Sequence, residues 1–178
     1  MILIVGANGF LGCEVAKLLL SKNEKVRLLV RTPAKVDDLN QAGAEVIQGD
    51  LIDPASLTHA CHGIDRVLAA AHSIVGKGKY KSEPVDDAGH RALIDAAKVA
   101  GVAHFVYLSI LGASPNHPID FFRTKYHIEE YLKAGGLVTP FCALLRSWNG
   151  IHTSSMASPF WKRAKRACWA WEPNPATL

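Results

Sequence analysis

MILIVGANGFLG, residues 1–12, decides how the rest of the chain is read. Ile2 to Val5 are consecutive apolar residues of the kind that form a strand buried on both faces. Gly6, Gly9 and Gly12 follow with GxxGxxG spacing and lead into the apolar-periodic segment Cys13 to Leu20, so the stretch reads as strand, tight turn and helix. In a dinucleotide-binding unit the first glycine permits the turn and the second lets the backbone approach a pyrophosphate. The third lets helix and strand pack closely. The phosphate then rests on the unpaired N–H groups at the positive end of the helix. Glycines are common in turns, and it is their place directly after a β-run that makes the pattern specific.

The 178 residues suffice for one domain, and 49% hydrophobic with 20% charged residues is ordinary for a globular chain. No apolar run reaches the roughly 18 residues of a membrane span, and no basic region precedes the first strand. A cytoplasmic protein is expected. Cys13, Cys61, Cys142 and Cys168 form no CxxC pair, which favours free thiols over a disulfide frame. His59-Ala60-Cys61-His62 is too small a cluster for a structural zinc site, and no metal is expected. The formal charge of +4 is uneven: residues 1–146 hold 16 Lys/Arg against 15 Asp/Glu, whereas the last 32 residues hold four basic residues against Glu172 alone. A nearly neutral body weighs against a nucleic-acid binder.

Further units follow in order. Lys25 to Val30 reads as a second strand, and Arg31 stands just past its end. At this place an acidic residue bonds the ribose 2′-OH of NAD, whereas an Arg accommodates the 2′-phosphate of NADP. Arg31, with Thr32 and Lys35 nearby, therefore points to NADP(H) over NAD(H). Pro33 to Ala42 fits a helix, Ala44 to Gln48 a third strand, and Asp50 with Leu51 lies at its carboxyl end. Asp53-Pro54 begins the next helix as cap and first residue. Ile64 to Ala71 reads as a fourth strand whose small Ala70 and Ala71 let a cofactor lie close.

His72 to Glu83 is a loop rich in Gly and Lys, and Val85 to Ala100 a long helix stopped by Gly101. Phe105 to Leu108 is the fifth strand, with Ser109 opening a loop at its carboxyl edge. Asp120 to Ala134 is helical, and Pro140 to Leu145 is the sixth strand. Strand–helix units of this spacing imply parallel pairing through right-handed crossovers: an α/β, three-layer, Rossmann-like doubly wound parallel sheet.

GANGFLG, LLVRTPAK, GDLIDPASL, AAAHS, VAHFVYLSILGA and FFRTKYHIEEYLKAGGL together resemble the NmrA-like branch of the atypical short-chain dehydrogenase/reductases, from Met1 to about Arg146. The resemblance implies that Gly6, Asn8, Gly9, Phe10, Leu11 and Gly12 line the diphosphate and that Arg31 meets the 2′-phosphate. It implies Asp50 and Leu51 at the adenine, and Ala70, Ala71 and His72 on the adenosine and nicotinamide side. Ser109 and Lys125 would flank the nicotinamide ribose and form the catalytic pair. The catalytic superfamily has a Tyr four residues before that Lys as proton donor, and here Phe121 has no proton to give. Two functions follow from the resemblance: NADPH-dependent reduction of a quinone or other small acceptor, or NADP(H)-binding redox sensing without turnover.

Relatives of that type continue into a substrate-binding lobe, which is expected to be missing here. All four tryptophans fall within residues 147–178, and the composition changes abruptly there. The expectation is a cofactor-binding domain over 1–146 and an irregular tail, 147–178, from a frameshift or mispredicted gene end. The functional alternative for the tail is a basic-aromatic arm, Trp161 to Trp169, for a membrane surface or nucleic acid.

Overall fold

Ile2–Val5 forms β1, the strand around which the computed structural model is built; it describes residues 1–73, 77–137 and 141–144. Leu3 and Val5 enter one apolar cluster and Ile2 and Ile4 the other, so alternate residues of a single strand fill the cores on opposite faces. Burial on both faces is what the unbroken apolar run requires. β2 (Val26–Val30) and β4 (Arg66–Ala69) pair in parallel with β1 on either side, with Ile4 opposite Leu28 and Val5 opposite Ala69. β3 (Glu45–Gln48), β5 (His104–Ile110) and β6 (Phe141–Leu144) complete a six-stranded sheet in the order β3-β2-β1-β4-β5-β6, parallel throughout. The doubly wound order expected from the sequence is thus present. Its direction reverses between β1 and β4, where a crevice opens at the carboxyl ends of the strands.

Helices cover both faces. α1 (Phe10–Ser21) and α2 (Asp37–Gln41) bury Ala16 and Leu39 against the cluster of Ile2, Ile4 and Leu28. α3 (Pro54–Cys61), α4 (His90–Val99) and α5 (Asp120–Ala134) bury Leu57, Leu93, Ile94, Ile128 and Leu132 against Leu3, Val67 and Phe105. Each fully buried leucine or isoleucine contributes roughly 1.5–3 kcal/mol relative to exposure. Among the described residues no helix is long and apolar enough to cross a membrane.

Beyond shifts of a residue or two at other strand ends, four elements differ from expectation in ways that bear on the site. The helix expected over Pro33 to Ala42 is a 3₁₀ turn, Pro33–Val36, followed by the short α2, because Val36 leaves helical geometry at φ −128°. The fourth strand stops at Ala69 because its partner β1 turns away at Gly6, although Ala70 N–H still donates to Val5 O at 2.9 Å. The fifth strand runs on to Ile110 because β6 pairs with it that far, Ser109 lying opposite Ala143. Ser109 therefore belongs to the strand and does not open the loop. The helix expected from Val85 begins as a wide π turn, Glu83–Gly89, which carries Asp86 inward. The boundary expected at residue 146 and the tail after it lie outside the described residues.

Candidate functional site

Between β1 and α1 the chain turns at Gly6 with φ +97°, a left-handed conformation open to glycine. A β-carbon on Gly6 would lie 2.6 Å from Ala71 N, so the turn packs directly on the segment after β4. One on Gly12 would lie 2.3 Å from Gly6 O, which is how closely α1 approaches the turn. Gly9 caps α1 without a side-chain bond, and the first turn holds no acidic residue. The N–H groups of Phe10, Leu11 and Gly12 therefore lack intrahelical acceptors and present a positive end to the crevice.

That crevice is lined by Gly6, Asn8, Gly9, Arg31, Asp50, Leu51, Ala70, Ala71 and His72 among others, so most of the residues expected at a dinucleotide meet in one cleft. Gly49 N–H donates to Val30 O at 3.0 Å, and the Ser56 hydroxyl, 3.1 Å from both the N–H and the carbonyl of Asp50, holds the bend that carries Asp50 into it. Phe10, Leu11, Gly12 and Lys35 are not among the lining residues: the Phe10 side chain is exposed and Gly12 is buried against the turn. Arg31 sits over the ring of Tyr80, 4.6 Å from its centroid. Tyr80 lines the same cleft and was no candidate in the sequence, where it is one residue of a lysine-rich loop.

Ser109 and Lys125 lie behind this cleft rather than on its wall. The Ser109 hydroxyl donates to the Glu129 carboxylate of α5 and is almost fully buried. Lys125 Nζ donates to Leu108 O at 3.0 Å and rests 4.6 Å from the Tyr107 ring centroid and 5.2 Å from that of Phe121. Burial pushes its ammonium down to about 8, against the opposing pull of Asp86 and Glu129. His72 links the two regions: it lines the cleft, and its ring meets Phe121 edge-on with centroids 6.5 Å apart. Desolvation of that ring, then the charge of Lys125, hold the imidazole below its usual pKa.

Further buried polar groups surround Lys125. Asp86 accepts the Ser73 N–H and the Ser82 hydroxyl, while His90 Nδ1 donates to Val85 O at 3.0 Å. His90 meets Tyr107 edge-on at 5.2 Å, and both His90 Nε2 and the Tyr107 hydroxyl are buried without a partner. Burial raises the Tyr107 phenol well above its usual pKa.

A turn packed on the segment after β4, unpaired N–H groups at a helix start and an arginine lining the same cleft fit a dinucleotide with its phosphates. Comparisons agree with that fit. An NAD(P)H azoreductase of Xenophilus azovorans is 33% identical over 141 residues, covering 79% of this chain and 46% of the relative. A photosystem II assembly factor, Ycf39, of Cyanophora paradoxa is 38% identical over 138 residues, covering 76% and 42%. The crystal structure of an NADPH-dependent quinone oxidoreductase complexed with NADPH, from Escherichia coli, superposes with a TM-score of 0.66 at 34% identity, covering 80% of this chain and 48% of that one. The chain thus spans about half the length of the relatives it matches. Since the NAD(P)H-binding family model matches residues 6–138, most of the described fold, the chain belongs to the NAD(P)H-binding family.

Proposed function

We propose that residues 1–146 bind NADP(H) in preference to NAD(H) and form the cofactor-holding part of a cytoplasmic reductase of a quinone or another small acceptor. The observation that carries this reading is the shared cleft: Arg31 and the glycine turn both line it. Gly6, Asn8 and Gly9 receive the diphosphate together with the free N–H groups of Phe10, Leu11 and Gly12. Arg31 meets the 2′-phosphate, with Lys35 adding charge at longer range, and Asp50 and Leu51 border the adenine. Ala70, Ala71 and His72 border the ribose and nicotinamide. When bound, the cofactor supplies the hydride. Lys125 supplies positive charge from beneath His72 and Phe121, and Ser109 fixes Glu129 beside it. The free thiols of Cys13 and Cys61 accord with a reducing compartment.

The test is an equilibrium titration of the purified chain with NADPH and NADH, followed by NADPH oxidation with a panel of quinones and aldehydes. Tighter binding of NADPH, by about tenfold or more on the scale of one good charge-assisted contact, is expected. Equal affinities would remove the assignment of Arg31. A second reading, a redox sensor without turnover, draws on Phe121, a phenyl ring beside Lys125 at the position where the catalytic superfamily has its proton-donating Tyr, and on a relative named as an assembly factor. NADPH binding with no oxidation by any acceptor of the panel supports it, and turnover excludes it.

A further inference from the structure

Arg31 and Tyr80 both line the cleft. Arg31 follows β2 and Tyr80 ends the 3₁₀ turn Gly78–Tyr80 beyond β4, the two strands that flank β1. The Arg31 guanidinium lies over the Tyr80 ring at 4.6 Å. Among the described residues no carboxylate forms an ion pair with Arg31. A contact with a ring uses none of the five N–H donors of a guanidinium in a conventional hydrogen bond, so they remain available for the bidentate grip of a phosphate monoester.

Tyr80 is itself held. Its carbonyl accepts the Ser73 hydroxyl, its N–H donates to Lys77 O at 3.1 Å, and its ring packs on the cluster of Leu51 and Val85. The Ser73 N–H is in turn bound by the buried Asp86 at 3.0 Å. A mobile arginine loses side-chain freedom when it clamps a phosphate, and a stacked one has lost most of it beforehand.

We propose that Tyr80 is a specificity-positioning residue, whose ring holds the Arg31 guanidinium in the cleft so that it discriminates dinucleotides bearing a 2′-phosphate from those with a 2′-hydroxyl. The proposal rests on the assignment of Arg31 given above. Tyr80 acts on affinity through Arg31 and touches NADPH selectivity more than dinucleotide binding as such.

The full chain is titrated with NADPH and with NADH in wild type, Tyr80→Leu, Tyr80→Phe, Arg31→Ala and the Arg31→Ala/Tyr80→Leu double variant. Tyr80→Leu weakens NADPH by about fivefold to tenfold, the scale of one cation–π contact, and leaves NADH within about twofold. Tyr80→Phe restores the NADPH affinity, because the ring and not the hydroxyl carries the effect. In the Arg31→Ala background Tyr80→Leu has no further effect. Equal weakening of both dinucleotides by Tyr80→Leu overturns the proposal, since the ring would then serve the fold or the shared adenosine. An effect of Tyr80→Phe as large as that of Leu overturns it as well. If Arg31→Ala abolishes the NADPH preference while Tyr80→Leu keeps it, only this proposal fails. If Arg31→Ala keeps the preference, the assignment of Arg31 fails and this proposal with it.

Discussion

The Asp86 carboxylate grips the backbone N–H of Ser73 through both oxygens, at 3.0 and 3.1 Å, across 13 residues of sequence. This bond ties the start of the loop after β4 to the π turn before α4, and the Ser82 hydroxyl adds a second donor at 2.7 Å. Asp86 is fully buried, so its truncation leaves the Ser73 N–H without its acceptor in a dry place. Asp86→Ala is expected to cost about 3 kcal/mol, the scale of hydrogen bonds to a charged group plus an orphaned donor. Urea unfolding measures it, with amide exchange at Ser73 as the local readout. An unchanged midpoint and unchanged Ser73 protection would show that the bond holds nothing.

Gly12 is the closest contact of α1 with the turn after β1. A β-carbon there would stand 2.3 Å from Gly6 O and 2.8 Å from Gly6 C, both of them backbone atoms that cannot rotate aside. Gly12→Ala is therefore expected to lose about 2–4 kcal/mol by overpacking, despite the better helix propensity of alanine. It should also push α1 off the turn and weaken NADPH binding. Thermal melting together with NADPH titration checks this, and a variant as stable as wild type would mean that α1 can slide without cost.

The central strands are legible in the sequence because they are covered on both faces, and Ile2 to Val5, Leu28 to Val30 and Phe105 to Leu108 come as apolar runs. Residues one step beyond such runs are legible with them, which is why Gly6, Arg31, Asp50 and Ala70 to His72 meet where the strands end. The same logic puts Ser109 in a loop, whereas its pairing with β6 extends β5 past the point where the apolar run stops. Tyr80, Asp86, His90 and Glu129 carry no local signal. Their partners are set by packing between remote segments, as with Ser109 and Glu129, 20 residues apart. The wide turn at Glu83–Gly89 is of this kind too: Gly89 lies against Leu51, and no periodicity announces it.

Cys61 and Cys13 are both free thiols but differ in surroundings. Cys61, at the end of α3, is fully buried, and desolvation pushes its thiol up to about 11 against the opposing charge of Arg27. Only the thiolate attacks an alkylating reagent. In iodoacetamide labelling at pH 8 with peptide mapping, Cys13 should be modified at least about tenfold faster than Cys61, because Cys61 offers a small thiolate fraction and no access. Equal rates in the folded protein would show that α3 opens readily from the sheet.

His90 is fully buried, and burial with the nearby charge of Lys125 lowers its pKa to about 3 from the ordinary value of 6.5. Its Nδ1 carries the hydrogen, because a carbonyl, Val85 O, is its partner, and Nε2 faces no acceptor. Protonation would place an unpartnered N–H and a second cation beside Lys125, with the His72 imidazole and the Tyr107 phenol, whose ring meets that of His90, as the other titratable groups nearby. Between about pH 6.5 and pH 3 the unfolded chain therefore binds a proton at this residue that the folded chain refuses, so stability falls as the pH falls, by up to ~1.4 kcal/mol per unit. His90→Asn keeps a donor for Val85 O and removes the titration. From pH 6 to pH 4 the wild type is expected to lose about 2–3 kcal/mol more than His90→Asn, as measured by urea unfolding at the two pH values. Parallel losses in the two proteins would mean that His90 takes up its proton without leaving the fold.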